Sequence, residues 1–292
     1  MELKITDIQT FCLHDGPGVR TTIFLAGCPL SCVWCHNPEA RAYHPILVFD
    51  EKKCTYCGAC SMCPCHDFTH GHTINRDACT LCGKCVENCK SGALSISQRS
   101  LFYEEYALLV DRQSRLTGEL GGITFSGGEP LLQAEFIGET VPYLKDAEIN
   151  YAIDTSGEVH LSDDVKYVLQ NAQLVILDLK FWDDESYKKY TGMGISKVID
   201  TLEFLVKIKK RTWVRTVVVP GINDSEDIIR NYIEVLKNKR CVEKYELLGF
   251  HTMGFLKYEN MEIKNPMKDT KPLKKEHLKE LQEFVDNELK KP

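Results

Sequence analysis

A chain of 292 residues, 43% of them hydrophobic, has room for one large α/β domain plus a small insertion and enough apolar matter for a sizeable core. Its net charge of −6, with no long basic run, argues against a nucleic-acid partner, and no stretch of about 18 apolar residues asks for a membrane. The N-terminus lacks a positively charged, apolar signal region, so a cytoplasmic protein is expected.

The first predicted element is a strand over 21–27, and the loop after it reads Gly27-Cys28-Pro29-Leu30-Ser31-Cys32-Val33-Trp34-Cys35-His36-Asn37-Pro38-Glu39. Its C-x3-C-x2-C spacing puts three thiolates on one tight loop. A 4Fe–4S cluster has four irons, so three protein ligands leave one iron open to chelate the amino and carboxylate groups of a substrate. A zinc knuckle completed by His36 is the rival reading, but zinc motifs usually pair two C-x2-C units.

Residues 50–98 break the strand–helix pattern and hold most of the remaining cysteines; twelve of the fourteen lie between Cys28 and Cys89. A disulfide-rich secreted module fits poorly with this chain length, and dense C-x2-C repeats in a cytosolic chain read as metal or iron–sulfur ligands. The segment runs Cys54-x2-Cys57-x2-Cys60, then Cys63-Pro64-Cys65, then Cys79-x2-Cys82-x2-Cys85-x3-Cys89. It looks like a two-cluster bacterial ferredoxin, in which the fourth cysteine of each run crosses to the other cluster. Cys54, Cys57, Cys60 and Cys89 are assigned to one 4Fe–4S cluster, and Cys79, Cys82 and Cys85 to a second. Cys63 stands one residue early and Cys65 one late for its fourth ligand. Zinc ribbons are the alternative. A segment too small to build a core needs such staples. Histidines 66, 70 and 72 read as surface loop residues, and Cys12 and Cys241 as small buried hydrophobes.

From residue 102 on, amphipathic stretches alternate with β-branched runs. Helices are predicted over 102–116, 131–144, 163–172, 197–209, 226–238 and 273–290, and strands over 122–126, 150–154, 174–179, 213–219 and 244–250, with Ser162 and Ser225 at N-cap positions. With the first strand these make six strand–helix units and imply a parallel sheet, too few for a closed eightfold barrel. The expected fold is α/β: a partial (β/α)6 TIM-like barrel from 1–49 and 99–292, with a ferredoxin-like insertion at 50–98.

Polar groups should gather at the carboxyl ends of such strands. Ser126-Gly127-Gly128-Glu129-Pro130 follows the second, Asp154-Thr155-Ser156-Gly157 ends the third, and Asp178-Leu179-Lys180 ends the fourth with both charged residues on one face. Arg215 lies in the fifth strand, and His251 closes the sixth. Each alone has a bland reading as a helix cap or structural residue; several aimed at one rim are harder to dismiss.

The cysteine loop is the signature of the radical S-adenosylmethionine (SAM) superfamily. Together with His14-Asp15-Gly16-Pro17-Gly18-Val19-Arg20 ahead of the first strand, the chain resembles the glycyl radical enzyme activating enzymes, of which the pyruvate formate-lyase activator is a member. The resemblance spans roughly residues 7–258. It implies that Cys28, Cys32 and Cys35 bind the SAM-cleaving cluster, with Trp34 beside the cofactor, and that Gly127, Gly128 and Glu129 recognise the SAM amino group. It further implies that Lys180 and Arg215 engage the methionyl carboxylate and that Asp178 and His251 contact ribose or adenine. Asp154, Thr155 and Asp178 match positions that bind a monovalent cation, and Asp15 faces the partner's glycine loop. Catalysis would fall to Asp15 and Lys180. The implied partners are a glycyl radical enzyme and a low-potential electron donor such as flavodoxin or ferredoxin, for a monomeric activase. The pyruvate formate-lyase activator typically lacks the insertion, which turns the expected target toward a different glycyl radical enzyme, with a formate-lyase type, a dehydratase, a decarboxylase or a C–N or C–S lyase all open. Rival functions are a radical peptide-modifying maturase, which commonly carries auxiliary clusters after the barrel, and a ferredoxin-type electron carrier, which leaves the first triad and the Gly-Gly-Glu turn without purpose.

Overall fold

The computed structural model describes residues 2–114 and 121–290. In chain order the elements are β1 (Glu2–Cys12), β2 (Arg20–Leu25), α1 (Pro38–Arg41), β3 (Leu47–Phe49), β4 (His66–Asp67), β5 (Thr73–Ile74), α2 (Lys84–Glu87), β6 (Leu94–Ile96), β7 (Arg99–Phe102) and α3 (Tyr103–Ser114). They continue with β8 (Gly122–Gly127), α4 (Ala134–Asp146), β9 (Asn150–Thr155), α5 (Asp163–Asn171), β10 (Leu174–Asp178), α6 (Asp184–Thr191), α7 (Ser196–Lys207), β11 (Thr212–Val218), α8 (Glu226–Leu236), β12 (Val242–Gly249), α9 (Phe255–Asn260) and α10 (Lys275–Glu288). The end of the predicted helix 102–116, Arg115 and Leu116, lies outside the described residues.

One eight-stranded sheet runs β12-β11-β10-β9-β8-β2-β1-β7. The six strands from β2 to β12 are parallel, each joined to the next by a crossover, as the alternating pattern required. Helices cover them, and so they are apolar along both faces: Leu174, Val175, Ile176 and Leu177 of β10 are all fully buried. Each such side chain contributes roughly 1.5–3 kcal/mol of burial free energy. The sheet stays open between β7 and β12. At the β12 edge, the Gln282 side chain accepts from the Leu247 N–H at 2.8 Å and donates to the Tyr245 carbonyl at 3.0 Å, occupying backbone groups that another strand would otherwise pair.

Two strands of this sheet were not foreseen. β1 pairs antiparallel with β2, and β7 pairs antiparallel with β1, extending the sheet at its start. The signal for β1 was in the sequence, since Leu3 and Ile5 are buried between exposed neighbours. Helix α6 was also unforeseen. Its run Asp184-Glu-Ser-Tyr-Lys-Lys-Tyr-Thr191 is polar enough to pass for a loop, and it starts on an Asp183 side chain that accepts from the Ser186 N–H. Ser162 and Ser225 cap α5 and α8, accepting from the Val165 and Ile228 N–H groups.

Between β2 and β7 the chain leaves the sheet. β3 pairs with β6 and β4 with β5, and a small separate cluster of Leu47, Phe49, Cys60, Ile74, Cys85, Ala93 and Leu94 fills this part. Two of its histidines correct the surface reading. His66 and His72 are each only 8% exposed, His72 lying stacked on Phe68 and edge-on to Phe49. Cys12 and Cys241 are half-buried rather than buried.

Candidate active site

The loop after β2 is held from all sides. The Ser31 and Val33 N–H groups donate to the Thr191 and Tyr190 carbonyls at the end of α6, at 2.7 and 3.0 Å. The Tyr258 hydroxyl donates to the Cys35 carbonyl at 2.8 Å, and the Cys35 N–H closes a tight turn on the Cys32 carbonyl. Trp34 is buried against Phe181 and Tyr190. α6 thus supplies the loop's backbone partners, so the element missing from the sequence reading fixes the chain's most distinctive motif.

A cavity of about 190 Å³ opens above this loop. Its walls include Cys28, Cys32, Cys35 and Trp34 from the loop, Gly127 and Gly128 from the end of β8, Asp154 and Thr155 from β9, and Asp178 and Lys180 from β10. Ten of the expected site residues therefore meet in one place, at the carboxyl ends of successive parallel strands. Ser126, Asn37, Arg41 and Ser156 share the lining and were not singled out; all but Arg41 sit within two residues of one that was, and that adjacency was the available signal.

The electrostatics follow from burial. Desolvation pushes the Cys28 thiol up to about 12 and Cys32 up to about 11, so their thiolate forms need a metal's positive charge, and metal binding there must release protons. Burial, then the neighbouring Asp178 carboxylate, raise Asp154 to about 7, while the Ser126 hydroxyl donates to Asp154 at 2.7 Å. Lys180 pairs with Asp178 at 2.5 Å; burial disfavours its charge, but Asp178 and Cys32 outweigh that, and the ammonium is held more firmly than usual. The site presents three sulfurs, a buried cation and two carboxylates to one space. That donor set fits an iron–sulfur cluster beside a zwitterionic ligand.

Four expected residues do not line the cavity, although Arg215 and Asp15 lie close enough to act on the Asp154 charge. The Glu129 carboxylate does not reach the cavity: it is fully buried beneath the rim and accepts from the Thr155 hydroxyl, the Ser156 hydroxyl and N–H, and the Leu131 N–H. Its contacts order the end of β9, and the glycines before it line the space. Arg215 ion-pairs with Glu246 at 3.0 Å and donates to the His14 carbonyl, tying the loop before β2 to β11. Asp15 in that loop is half-buried and accepts from Thr22 at 2.7 Å. His251 stacks on His36 at 3.9 Å and lines an adjoining opening with Met253 and Lys257.

The two glycines are required by close approach. A β-carbon on Gly128 would lie 2.2 Å from the Gly27 carbonyl oxygen and 2.7 Å from that of Ala40, and Gly127 holds a φ of +111°. Both obstacles are backbone, so Gly128→Ala must force β8 away from the cysteine loop. We expect a loss of about 1–3 kcal/mol in a denaturant titration and defective iron binding at this site.

Outside this site, eight of the other nine clustered cysteines fall into two groups. Cys54, Cys57, Cys60 and Cys89 line one small cavity. The Cys65 thiol lies against both Cys63 and Cys79, and Cys85 is near the same two.

Comparison with known proteins agrees with this geometry. The family model described as the radical SAM superfamily matches residues 22–232. A 4-hydroxyphenylacetate decarboxylase activating enzyme of Clostridioides difficile is 34% identical, covering 98% of this chain and 94% of that protein. A pyruvate formate-lyase-activating enzyme of Clostridium pasteurianum is 32% identical over 97% of this chain and 96% of its own, and a (2S)-3-sulfopropanediol dehydratase activating enzyme of Klebsiella oxytoca is 34% identical over 97% and 92%. Among solved structures, Streptococcus suis SuiB bound to precursor peptide SuiA shares the fold, with a TM-score of 0.55 at 12% identity over 90% of this chain and 44% of that one. Among the described residues, no helix is long and apolar enough to cross a membrane.

Proposed function

The chain belongs to the radical SAM superfamily, among the glycyl radical enzyme activating enzymes, and we propose that it installs a radical on a backbone glycine of a partner glycyl radical enzyme. When bound, the cluster at Cys28, Cys32 and Cys35 supplies one electron that splits SAM into methionine and a 5′-deoxyadenosyl radical, which takes the glycine hydrogen. The protein's own share is placement. Lys180, neutralised on one side by Asp178, offers its remaining donors to the methionyl carboxylate, and the Gly127–Gly128 backbone lets the amino group approach closely. Asp154, Thr155 and Asp178 converge on the same wall and make a carboxylate-rich seat for a monovalent cation. Arg215, within electrostatic reach of Asp154 and Asp178, adds a second cation toward the methionyl carboxylate, and the Asp15 loop that it ties to β11 is the segment assigned to the partner's glycine. The observation that carries the proposal is the convergence of the cysteine loop with three further strand-end motifs on one cavity. An electron carrier has no use for such a wall.

We assign residues 50–98 to a ferredoxin-like unit holding two auxiliary 4Fe–4S clusters. Cys54, Cys57, Cys60 and the crossing Cys89 share one cavity, as the ferredoxin pattern requires. Cys79, Cys82 and Cys85 hold the other, with Cys63 and Cys65 meeting at its fourth position. Relatives named for decarboxylase, formate-lyase and dehydratase activation stand at similar identity, so the target is fixed by experiment. The reduced, iron-loaded protein with SAM should generate a substoichiometric glycyl radical signal, by anaerobic electron spin resonance, on one glycyl radical enzyme encoded beside it. Silence with every glycyl radical enzyme of the same genome would overturn the assignment.

A further inference from the structure

Two buried histidines lie against the first auxiliary cysteine set. His72 Nδ1 is 3.5 Å from Cys54 Sγ, its Nε2 is 3.7 Å from Cys60 Sγ, and the same Nε2 is 2.7 Å from His66 Nδ1. Phe68 and Phe49 hold the His72 ring at centroid distances of 4.5 and 4.4 Å, so it cannot swing away. His66 Nε2 is buried with no hydrogen-bond partner.

These contacts choose a tautomer. The facing nitrogens of His66 and His72 share one proton. If His72 Nε2 donated it, the bare Nδ1 lone pair would face Cys54, which is repulsive once that sulfur is a thiolate, and His66 would bury an N–H with no acceptor. If His66 Nδ1 donates instead, His72 carries its proton on Nδ1, aimed at Cys54, and the only orphan is an acceptor, the less rare kind. A simple His–His–Cys ion site, although the three donor atoms lie within 4.8 Å, is disfavoured by the same geometry: Cys60 is shared with the four-cysteine cavity and the two rings are hydrogen-bonded to each other.

We propose that His72, oriented by His66, donates an N–H···S hydrogen bond to the Cys54 thiolate and thereby raises the reduction potential of the cluster held by Cys54, Cys57, Cys60 and Cys89. The inference rests on the auxiliary-cluster reading above. A donor to a cluster sulfur stabilises the extra negative charge of the reduced state, so it favours reduction. The bond is present in both states, so only its strengthening on reduction counts; a tenfold shift of the reduction equilibrium corresponds to about 59 mV for a one-electron couple.

The test is a spin-resonance redox titration of the full-length, anaerobically reconstituted protein with iron and zinc analysis, comparing wild type with His72→Phe, His72→Asn and His66→Leu. His72→Phe should keep the wild-type iron while one auxiliary cluster becomes about tenfold harder to reduce and the other two clusters do not move. His72→Asn, whose amide N–H reaches the place of Nδ1, should recover part of the shift, and His66→Leu should show a smaller shift in the same direction. An unmoved titration in His72→Phe with full iron overturns the inference, as does loss of one cluster's iron in both His72 variants, or stoichiometric zinc in the wild type that the variants lose. Wild-type protein carrying a single cluster's iron would instead sink the auxiliary-cluster reading itself, and this inference with it.

Discussion

Replacing Cys28, Cys32 and Cys35 together by alanine is expected to abolish SAM cleavage completely while leaving two-thirds of the bound iron in place. The reason is modular packing. The triad packs partly against the cluster of Leu30, Trp34, Leu177, Leu179 and Phe181 under the main sheet, whereas Cys60 and Cys85 belong to the separate small cluster with Leu47, Phe49 and Leu94. No thiol is shared between the sets. Each substitution removes one sulfur from a chain segment already clamped through its backbone by Thr191, Tyr190 and Tyr258, so the fold should lose little, roughly 1 kcal/mol or less per site. The expected result is a folded protein with auxiliary-cluster spectra, no response of those spectra to SAM and no methionine formed from it. Iron falling to zero would show that the clusters load only as one unit. Residual SAM cleavage would place the reactive cluster elsewhere.

That separation was readable in the spacing of the cysteines, because ligand spacing is a local property and survives whatever the tertiary fold does. The parallel order was equally plain, since strands buried on both faces announce themselves as unbroken apolar runs such as Leu174-Val-Ile-Leu177. What escaped was written in contacts between distant residues. Helix α6 has too polar a sequence to advertise itself, yet it anchors the cysteine loop; β1 alternates only over its first residues, around Leu3 and Ile5, and has value because β2 and β7 flank it. His66 and His72 look like loop residues until Phe49, Phe68 and two cysteines close around them. Arg215 and Glu129 carry the right chemistry for a ligand, and the fold gives them protein contacts as well, to Glu246 and to the Thr155–Ser156 turn, which raise a positioning role beside the ligand one.

Glu129 makes the sharpest test of that distinction between a ligand contact and a positioning role. Its Oε1 accepts from Thr155 Oγ1 at 2.6 Å and the Leu131 N–H at 3.1 Å; its Oε2 accepts from Ser156 Oγ at 2.6 Å and the Ser156 N–H at 2.9 Å. Burial raises its pKa, and those four donors oppose the rise by solvating the anion. Glu129→Gln keeps the shape but presents an NH2 where one oxygen stood. The two hydroxyls can turn to accept from it, whereas the Leu131 and Ser156 N–H groups cannot, so one buried backbone donor is orphaned whichever way the amide is placed. The cost should be about 1–3 kcal/mol of stability. Glu129→Ala orphans both N–H groups and leaves a void, and should cost more, about 3–5 kcal/mol. Because Thr155 and Ser156 carry the end of β9, whose Asp154 lines the cavity, the Gln variant should also bind SAM more weakly, by about tenfold. A carboxylate that gripped the SAM ammonium directly would behave differently: Glu129→Gln would then weaken SAM binding with no change in the unfolding midpoint. Paired measurements of the denaturation midpoint and of SAM binding, followed through the cluster's spectrum, separate the two, and the positioning role requires both to fall together.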